Sequence, residues 1–344
     1  MKSRFYKSEF FERREDGKIQ CTLCPHRCII KEKEVGVCGV RGNIDSEIYA
    51  LNYGWLVAVH NDPIEKKPLF HFLPSSRSLS IATQGCNLFC KNCQNYSISQ
   101  LRAATTNDKI YGDYYSPDEI IDITQKNRSD SISYTYTEPT IFADYALDIM
   151  REIKRKGLNI KNVFVTNGFM SDELIDKLNG LLDAANIDLK SFSDDFYKKI
   201  CKGRLEPVLN TIRRFFELGI HIEITTLLIP TLNDSEEELR SIAEFISSIS
   251  PNIPWHISRY HTDYQMNLPP TPVGSIRRGR EIGLKAGLRF VYTGNLWGDE
   301  GENTFCPDCK KPLIRRIGFD VVEDNIKNSS CSFCGYRIYG VFSK

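Results

Sequence analysis

Twelve cysteines in 344 residues are the feature with the most chemistry in it, and eleven of them stand at metal-ligand spacing. The central set lies in Gln84-Gly85-Cys86-Asn87-Leu88-Phe89-Cys90-Lys91-Asn92-Cys93, a C-x3-C-x2-C loop with no fourth cysteine nearby. A structural zinc site wants four ligands closed into a tetrahedron. Three thiolates on a 4Fe-4S cluster instead leave one iron open to an exogenous ligand, so Cys86, Cys90 and Cys93 are expected to hold such a cluster.

Two further sets flank the loop. Cys306, Cys309, Cys331 and Cys334 are spaced C-x2-C-x21-C-x2-C, two knuckles joined by a strand-rich stretch, slightly longer than the usual gap of about 15–20 residues in a zinc ribbon. Four thiolates close the shell, so a structural zinc is expected, with rubredoxin-like iron the alternative. Cys21, Cys24, Cys28 and Cys38 form a compact set that suits zinc or a second iron-sulfur cluster. Zinc is favoured there, because ferredoxin-like relays show tighter runs ending in Cys-Pro. Cys201 reads as an ordinary thiol.

These ligands need a scaffold. Between residues 76 and 295, short β-branched runs alternate with amphipathic segments, the pattern of βα units around a parallel sheet. Strands are expected at 79–83, 131–136, 162–166, 184–189, 221–229 and 255–260, with a possible seventh at 289–292. Ser116-Pro117-Asp118-Glu119 is a capping box, and Asp234 or Ser235 opens another helix with an acidic first turn. Six strand-helix units fall short of the eight of a complete barrel. The expected fold is therefore α/β: an incomplete (β/α)6 TIM-like barrel over 76–295, a cysteine-rich N-terminal segment over 1–75 and a zinc-ribbon-like tail over 296–344. The flanking segments are too short to bury much apolar surface, and a bound metal is the usual remedy. The stretch from Asp62 to Pro68 holds four charges between prolines and reads first as a solvated turn.

The C-x3-C-x2-C loop resembles the signature of the radical S-adenosylmethionine (SAM) superfamily, and the barrel region is similar to the pyruvate formate-lyase activating enzymes. The motifs Cys21-Thr-Leu-Cys24-Pro25-His26-Arg27-Cys28, Asp62-Pro63-Ile64-Glu65-Lys66-Lys67-Pro68, Cys93-Gln94-Asn95, Pro254-Trp255-His256 and Gly301-Glu302-Asn303-Thr304-Phe305-Cys306 resemble the radical enzyme of the AmmeMemoRadiSam system. This resemblance implies reductive cleavage of SAM at the cluster to a 5′-deoxyadenosyl radical, which removes hydrogen from a substrate. It also implies a low-potential electron donor such as flavodoxin or ferredoxin, and association with Memo-like and AMMECR-like proteins.

The resemblance carries SAM contacts onto four strand ends. Glu138 stands where the superfamily has a Gly-Gly-Glu turn on the methionine amine, with Tyr136 and Thr137 in place of the glycines. Thr166 and Asn167 end the next strand. Asp188 and Lys190 fall near the methionine carboxylate and ribose, and His261 near the ribose. Asn92 occupies a position that is commonly aromatic and packs on adenine, a place Phe89 is free to fill. Plainer readings exist for some of these, Glu138 as a helix-start residue and Asp188 with Lys190 as a bare ion pair; His256, on the expected strand that leads to His261, has no counterpart in the family and reads as a hydrogen-bonded core residue.

Composition narrows the field. With 45 basic and 44 acidic residues, no global field steers the chain onto nucleic acid or anionic lipid. The first twenty residues are charged throughout and no apolar run is long enough to span a bilayer, so a cytoplasmic protein is expected. Three functions compete: a SAM-cleaving enzyme of unidentified substrate, an activase of a glycyl radical enzyme, and a metal-stabilised RNA- or protein-binding module without catalysis. The presence of all three loop cysteines favours the enzymes.

Overall fold

The computed structural model describes residues 5–342. Its centre is one eight-stranded sheet whose strands lie side by side in chain order. We number them β1 (Ala58–Pro63), β2 (Arg77–Ala82), β3 (Ser131–Tyr134), β4 (Lys161–Thr166), β5 (Ala184–Asp188), β6 (His221–Leu228), β7 (Trp255–Arg259) and β8 (Val291–Gly294). Strands β2 to β8 are parallel; β1 pairs antiparallel with β2, Ala58 opposite Ala82 and Pro63 opposite Arg77. Helices α1 (Pro117–Lys126), α2 (Ala143–Arg155), α3 (Asp172–Leu178), α4 (Glu206–Glu217), α5 (Glu236–Ile249) and α6 (Val273–Lys285) make the six crossovers. Edge strands β1 and β8 do not pair with each other, so this α/β sheet is an incomplete barrel, as expected.

Local chemistry starts the helices where the sequence says. The Ser116 hydroxyl accepts from Glu119 N while Glu119 answers to Ser116 N at 2.7 Å, completing the capping box of α1. Ser235 caps α5 through its hydroxyl alone, which accepts from Glu238 N at 3.2 Å. Apolar faces of the helices close on strand residues such as Phe164, Ile187, Ile224 and Ile257, all fully buried. Full burial of such side chains stabilises by about 1.5–3 kcal/mol each before ordering entropy is set against it.

The segment ahead of the barrel is more deeply involved than its lack of alternation suggests. It supplies β1, and residues 64–73 then enter the barrel, where Ile64, Leu69 and Phe72 pack with Val163 and Ala184. This strap is pinned by Glu223, a fully buried carboxylate on β6. Phe70 N (3.0 Å), His71 N (2.7 Å), His221 Nε2 (3.1 Å) and His256 Nε2 (2.7 Å) all donate to it. His256 is thus the hydrogen-bonded core residue of the plainer reading. The tail locks onto the same strap: Phe70, Phe290 and Tyr292 share a core with Leu313, Ile314 and Ile338, and buried Arg316 donates to Phe70 O at 2.9 Å.

Burial would raise the Glu223 pKa, but the bonds from His221 and His256 outweigh it and hold the carboxyl below its ordinary 4.5. The ionised form therefore stabilises the fold fully above about pH 4.5, and that contribution is lost as pH falls further. We predict that Glu223→Ala lowers unfolding free energy at pH 7 by about 3–5 kcal/mol, since it strands two buried N–H groups and two imidazoles. Urea melts should show the gap from the wild type narrowing below pH 4.5; a gap under about 1 kcal/mol at pH 7 contradicts this role.

Candidate active site

The C-terminal ends of β3 to β7 surround a cleft of about 420 Å3, a size that suits a small-molecule cofactor. Its lining contains Cys86, Cys90 and Cys93 together with Glu138, Thr166, Asn167, Asp188 and Lys190. His261, by contrast, lies beyond β7 on the exposed rim, outside that lining, with Nε2 3.2 Å from Gln94 Nε2.

The cysteine loop leaves β2 through Gly85, whose φ of +94° favours glycine. A Cβ there would also stand 2.8 Å from the Cys38 carbonyl. Leu88 N donates to Cys86 Sγ at 3.3 Å, and Cys93 Sγ is 3.1 Å from Ser99 Oγ. On the far side of the loop, Phe89 N donates to Cys201 O at 2.8 Å and Lys91 N to Ile200 O at 3.1 Å. The Cys201 thiol hydrogen-bonds Cys90 and holds its pKa below the ordinary thiol value, whereas burial raises that of Cys86. Cys201 is therefore a support of the loop, a role its isolated place in the sequence does not reveal.

Glu138 both caps and faces the cleft. Its Oε1 accepts from Thr140 N (3.1 Å), Thr140 Oγ1 (2.7 Å) and Thr166 Oγ1 (2.7 Å), and Oε2 accepts only from Asn167 N (2.8 Å). Burial pushes its pKa up despite those donors. Tyr136 keeps the left-handed φ (+60°) that a glycine would take in this turn, a conformation costing a non-glycine residue about 1–2 kcal/mol. The Asn95 side chain donates to Tyr136 O at 2.7 Å and the Tyr136 hydroxyl donates to Asp62, which together hold the turn.

Lys190 Nζ lies 2.7 Å from Asp188 Oδ2, so these two are an ion pair and part of the cleft wall at once. Burial disfavours the ammonium, but Asp188 and the thiols of Cys90 and Cys201 more than offset this and keep it protonated. Two polar atoms on the lining have no partner: Asn92 Oδ1 and Thr225 Oγ1. Buried polar atoms are normally satisfied, so these two point to a ligand in the cleft.

The stretch from Asp62 to Pro68 is not a solvated turn. Asp62 accepts from Lys66 Nζ (3.0 Å) and Lys67 Nζ (2.7 Å), Lys67 is 1% exposed, and Lys66, Lys67 and Pro68 line the cleft. Burial lowers the Lys67 pKa to about 8. Asp62 and Lys66 stand at i, i+4, a spacing that signals pairing but not the burial that the strap imposes.

Residues 80–246 match the Radical SAM superfamily. The chain belongs to that superfamily. An uncharacterised protein of Methanocaldococcus jannaschii is 40% identical over 333 residues, 96% of this chain and 97% of that one. A putative glycyl-radical enzyme activating enzyme of the same archaeon is 24% identical over 229 residues, 63% of this chain and 81% of its own length. A radical SAM methyltransferase from Sphaerobacter thermophilus shares the fold, with a TM-score of 0.51 and 11% identity over 87% of this chain and 81% of that chain. This radical SAM protein is accordingly an enzyme related to the glycyl-radical activases, and its superfamily implies a 4Fe-4S cluster and SAM. No helix among the described residues is long and apolar enough to cross a membrane.

A second group with metal-ligand geometry lies in the tail. The sulfurs of Cys306, Cys309, Cys331 and Cys334 all fall within 4.8 Å of one another, with Cys306 to Cys334 at 3.6 Å and Cys309 to Cys331 at 3.7 Å. Thiolates sharing one tetrahedral ion at a metal–sulfur distance of about 2.3 Å stand about 3.8 Å apart, so the group fits a single ion. We predict that Cys306→Ser with Cys331→Ser removes one metal equivalent per chain and opens residues 312–327 to protease while the barrel stays resistant. An equally resistant metal-free tail would make these cysteines packing residues.

Proposed function

We propose that the cleft holds a 4Fe-4S cluster through Cys86, Cys90 and Cys93, binds SAM against it, and removes a hydrogen atom from a substrate. The observation that carries this reading is the meeting of three thiols, a carboxylate with a nearly free oxygen and an ion pair in one cleft at the barrel's functional end. When bound, the cluster and SAM supply a one-electron cleavage that yields a 5′-deoxyadenosyl radical. The residues of the chain bind and orient. Glu138 Oε2, with one donor already in place, accepts from the methionine ammonium. Asp188 and Lys190 present an acceptor and a cation to the ribose and the carboxylate. Asn92 Oδ1 and Thr225 Oγ1 take the remaining polar contacts, which adapts the site to the missing aromatic residue at Asn92. Thr166 and Asn167 serve by fixing Glu138, while His261 is left as a rim residue that meets the ribose only if its loop closes.

Zinc is the metal we assign to the tail, and flavodoxin or ferredoxin the donor class. The motif resemblance supports Memo-like and AMMECR-like partners, and twelve free cysteines suit a reducing cytoplasm. Activation of a glycyl radical enzyme is the second reading, favoured by the relation to the archaeal activating enzyme.

With anaerobically reconstituted protein, dithionite and SAM, 5′-deoxyadenosine should form, and Cys90→Ala should reduce it at least about a hundredfold with loss of the cluster. Unchanged turnover in that variant would end the proposal. Glu138→Gln should keep its iron yet weaken SAM binding about tenfold, equal to 1.4 kcal/mol, in equilibrium titrations; unaltered affinity would remove Glu138 from the site.

A further inference from the structure

The N-terminal cysteines form a site of their own. Cys21, Cys24, Cys28 and Cys38 line one pocket with Leu23 and Ile30. Yet no three of their sulfurs come within the 4.8 Å at which the tail cysteines gather around a single-ion centre. The barrel cysteines, expected to hold a cluster, are likewise more widely set. Thiolates on different irons of a cubane stand further apart than thiolates on one ion, and the N-terminal set, like the barrel set, lacks the single-ion spacing of the tail.

Arg41 supplies a second, independent observation. Its guanidinium is 1% exposed and lines this pocket. It donates to Asp144, to Ser8 Oγ (3.1 Å) and to Ile141 O (2.9 Å), while its Nε has no partner. A buried N–H without an acceptor costs about 1–3 kcal/mol. A sulfur-rich anionic group in the pocket would accept from that Nε.

We propose that Cys21, Cys24, Cys28 and Cys38 hold a second 4Fe-4S cluster, closed by four thiolates and accepting a hydrogen bond from Arg41 Nε. This departs from the zinc that spacing favours. With every iron bound to protein it has no open position for SAM, unlike the barrel site. It lies directly behind the barrel loop: the Cys38 carbonyl presses on Gly85, the neighbour of Cys86, and Arg102 donates to Val37 O and to Leu88 O (2.8 Å), bridging the two loops.

The test is anaerobic reconstitution of the full chain with iron and sulfide, followed by iron, zinc and acid-labile sulfide analysis. Wild type should carry about eight sulfides, and a Cys86→Ala, Cys90→Ala, Cys93→Ala variant should retain about four, with an electron paramagnetic resonance signal after dithionite. That variant lacks the barrel ligands, so its result is independent of the function proposed above. The tail binds no sulfide and does not confuse the count. If the triple variant carries no sulfide, or zinc in the place of iron at the N-terminal set, the proposal is overturned. In the otherwise native chain, Cys24→Ser with Cys28→Ser should halve the sulfide, and a full complement in that variant overturns it equally.

Discussion

A single buried carboxylate organises this protein. Glu223 sits on β6 inside the barrel, where an unpaired charge would be costly, and four donors from three parts of the chain make it tolerable. Those donors fix the course of the strap. Because Phe70 and His71 are held there, Lys66, Lys67 and Pro68 are delivered to the cleft six residues or fewer upstream, and the Asn186 side chain secures Pro68 O at 2.8 Å on the way. The tail in turn rests on Phe70 and His71, with His71 Nδ1 2.6 Å from Tyr339 O.

The cleft that results is electrostatically divided. Cys86, Cys93 and Glu138 are acidic groups in a setting that disfavours their ionised forms, whereas Lys190 is kept charged by Asp188 and its sulfur neighbours. A cationic ligand atom next to Glu138 and a metal on the thiols would each relieve a penalty that burial imposes. Binding energy at such a site is drawn from charges placed in advance, which is how a protein orients a reactive cofactor without moving.

Much of this was legible in the residues. Alternation of β-branched runs with capped helices located the six barrel strands and a seventh, since burial on both faces leaves a strong apolar signal. The three cysteine sets announced themselves by spacing. Strand β1 did not, because Ala-Val-His-Asn-Asp-Pro has the composition of an edge and owes its strand conformation to pairing with β2. The burial of Lys67 was hidden for a similar reason: charged residues between prolines ordinarily face water, and only the tertiary pin at Glu223 draws them inward. His261, a motif position carried over by resemblance, lies on the exposed rim beyond β7, on a loop whose course the motif does not determine. Cys201 has no pattern at all; its contact with Cys90 spans 111 positions and belongs to the fold alone.

The way Glu223 is satisfied also bears on how such a protein can be inherited. The span shared with the superfamily, 80–246, contains the carboxylate and His221, but Phe70 and His71 precede it and His256 follows it. Recombination that carried this span alone into a new gene would import a buried acid stripped of three of its four donors. The barrel here is therefore not a cassette to be shuffled: its leading segment and closing strands satisfy the buried acid together with it, and a change in any one of the three is felt in the stability of the other two.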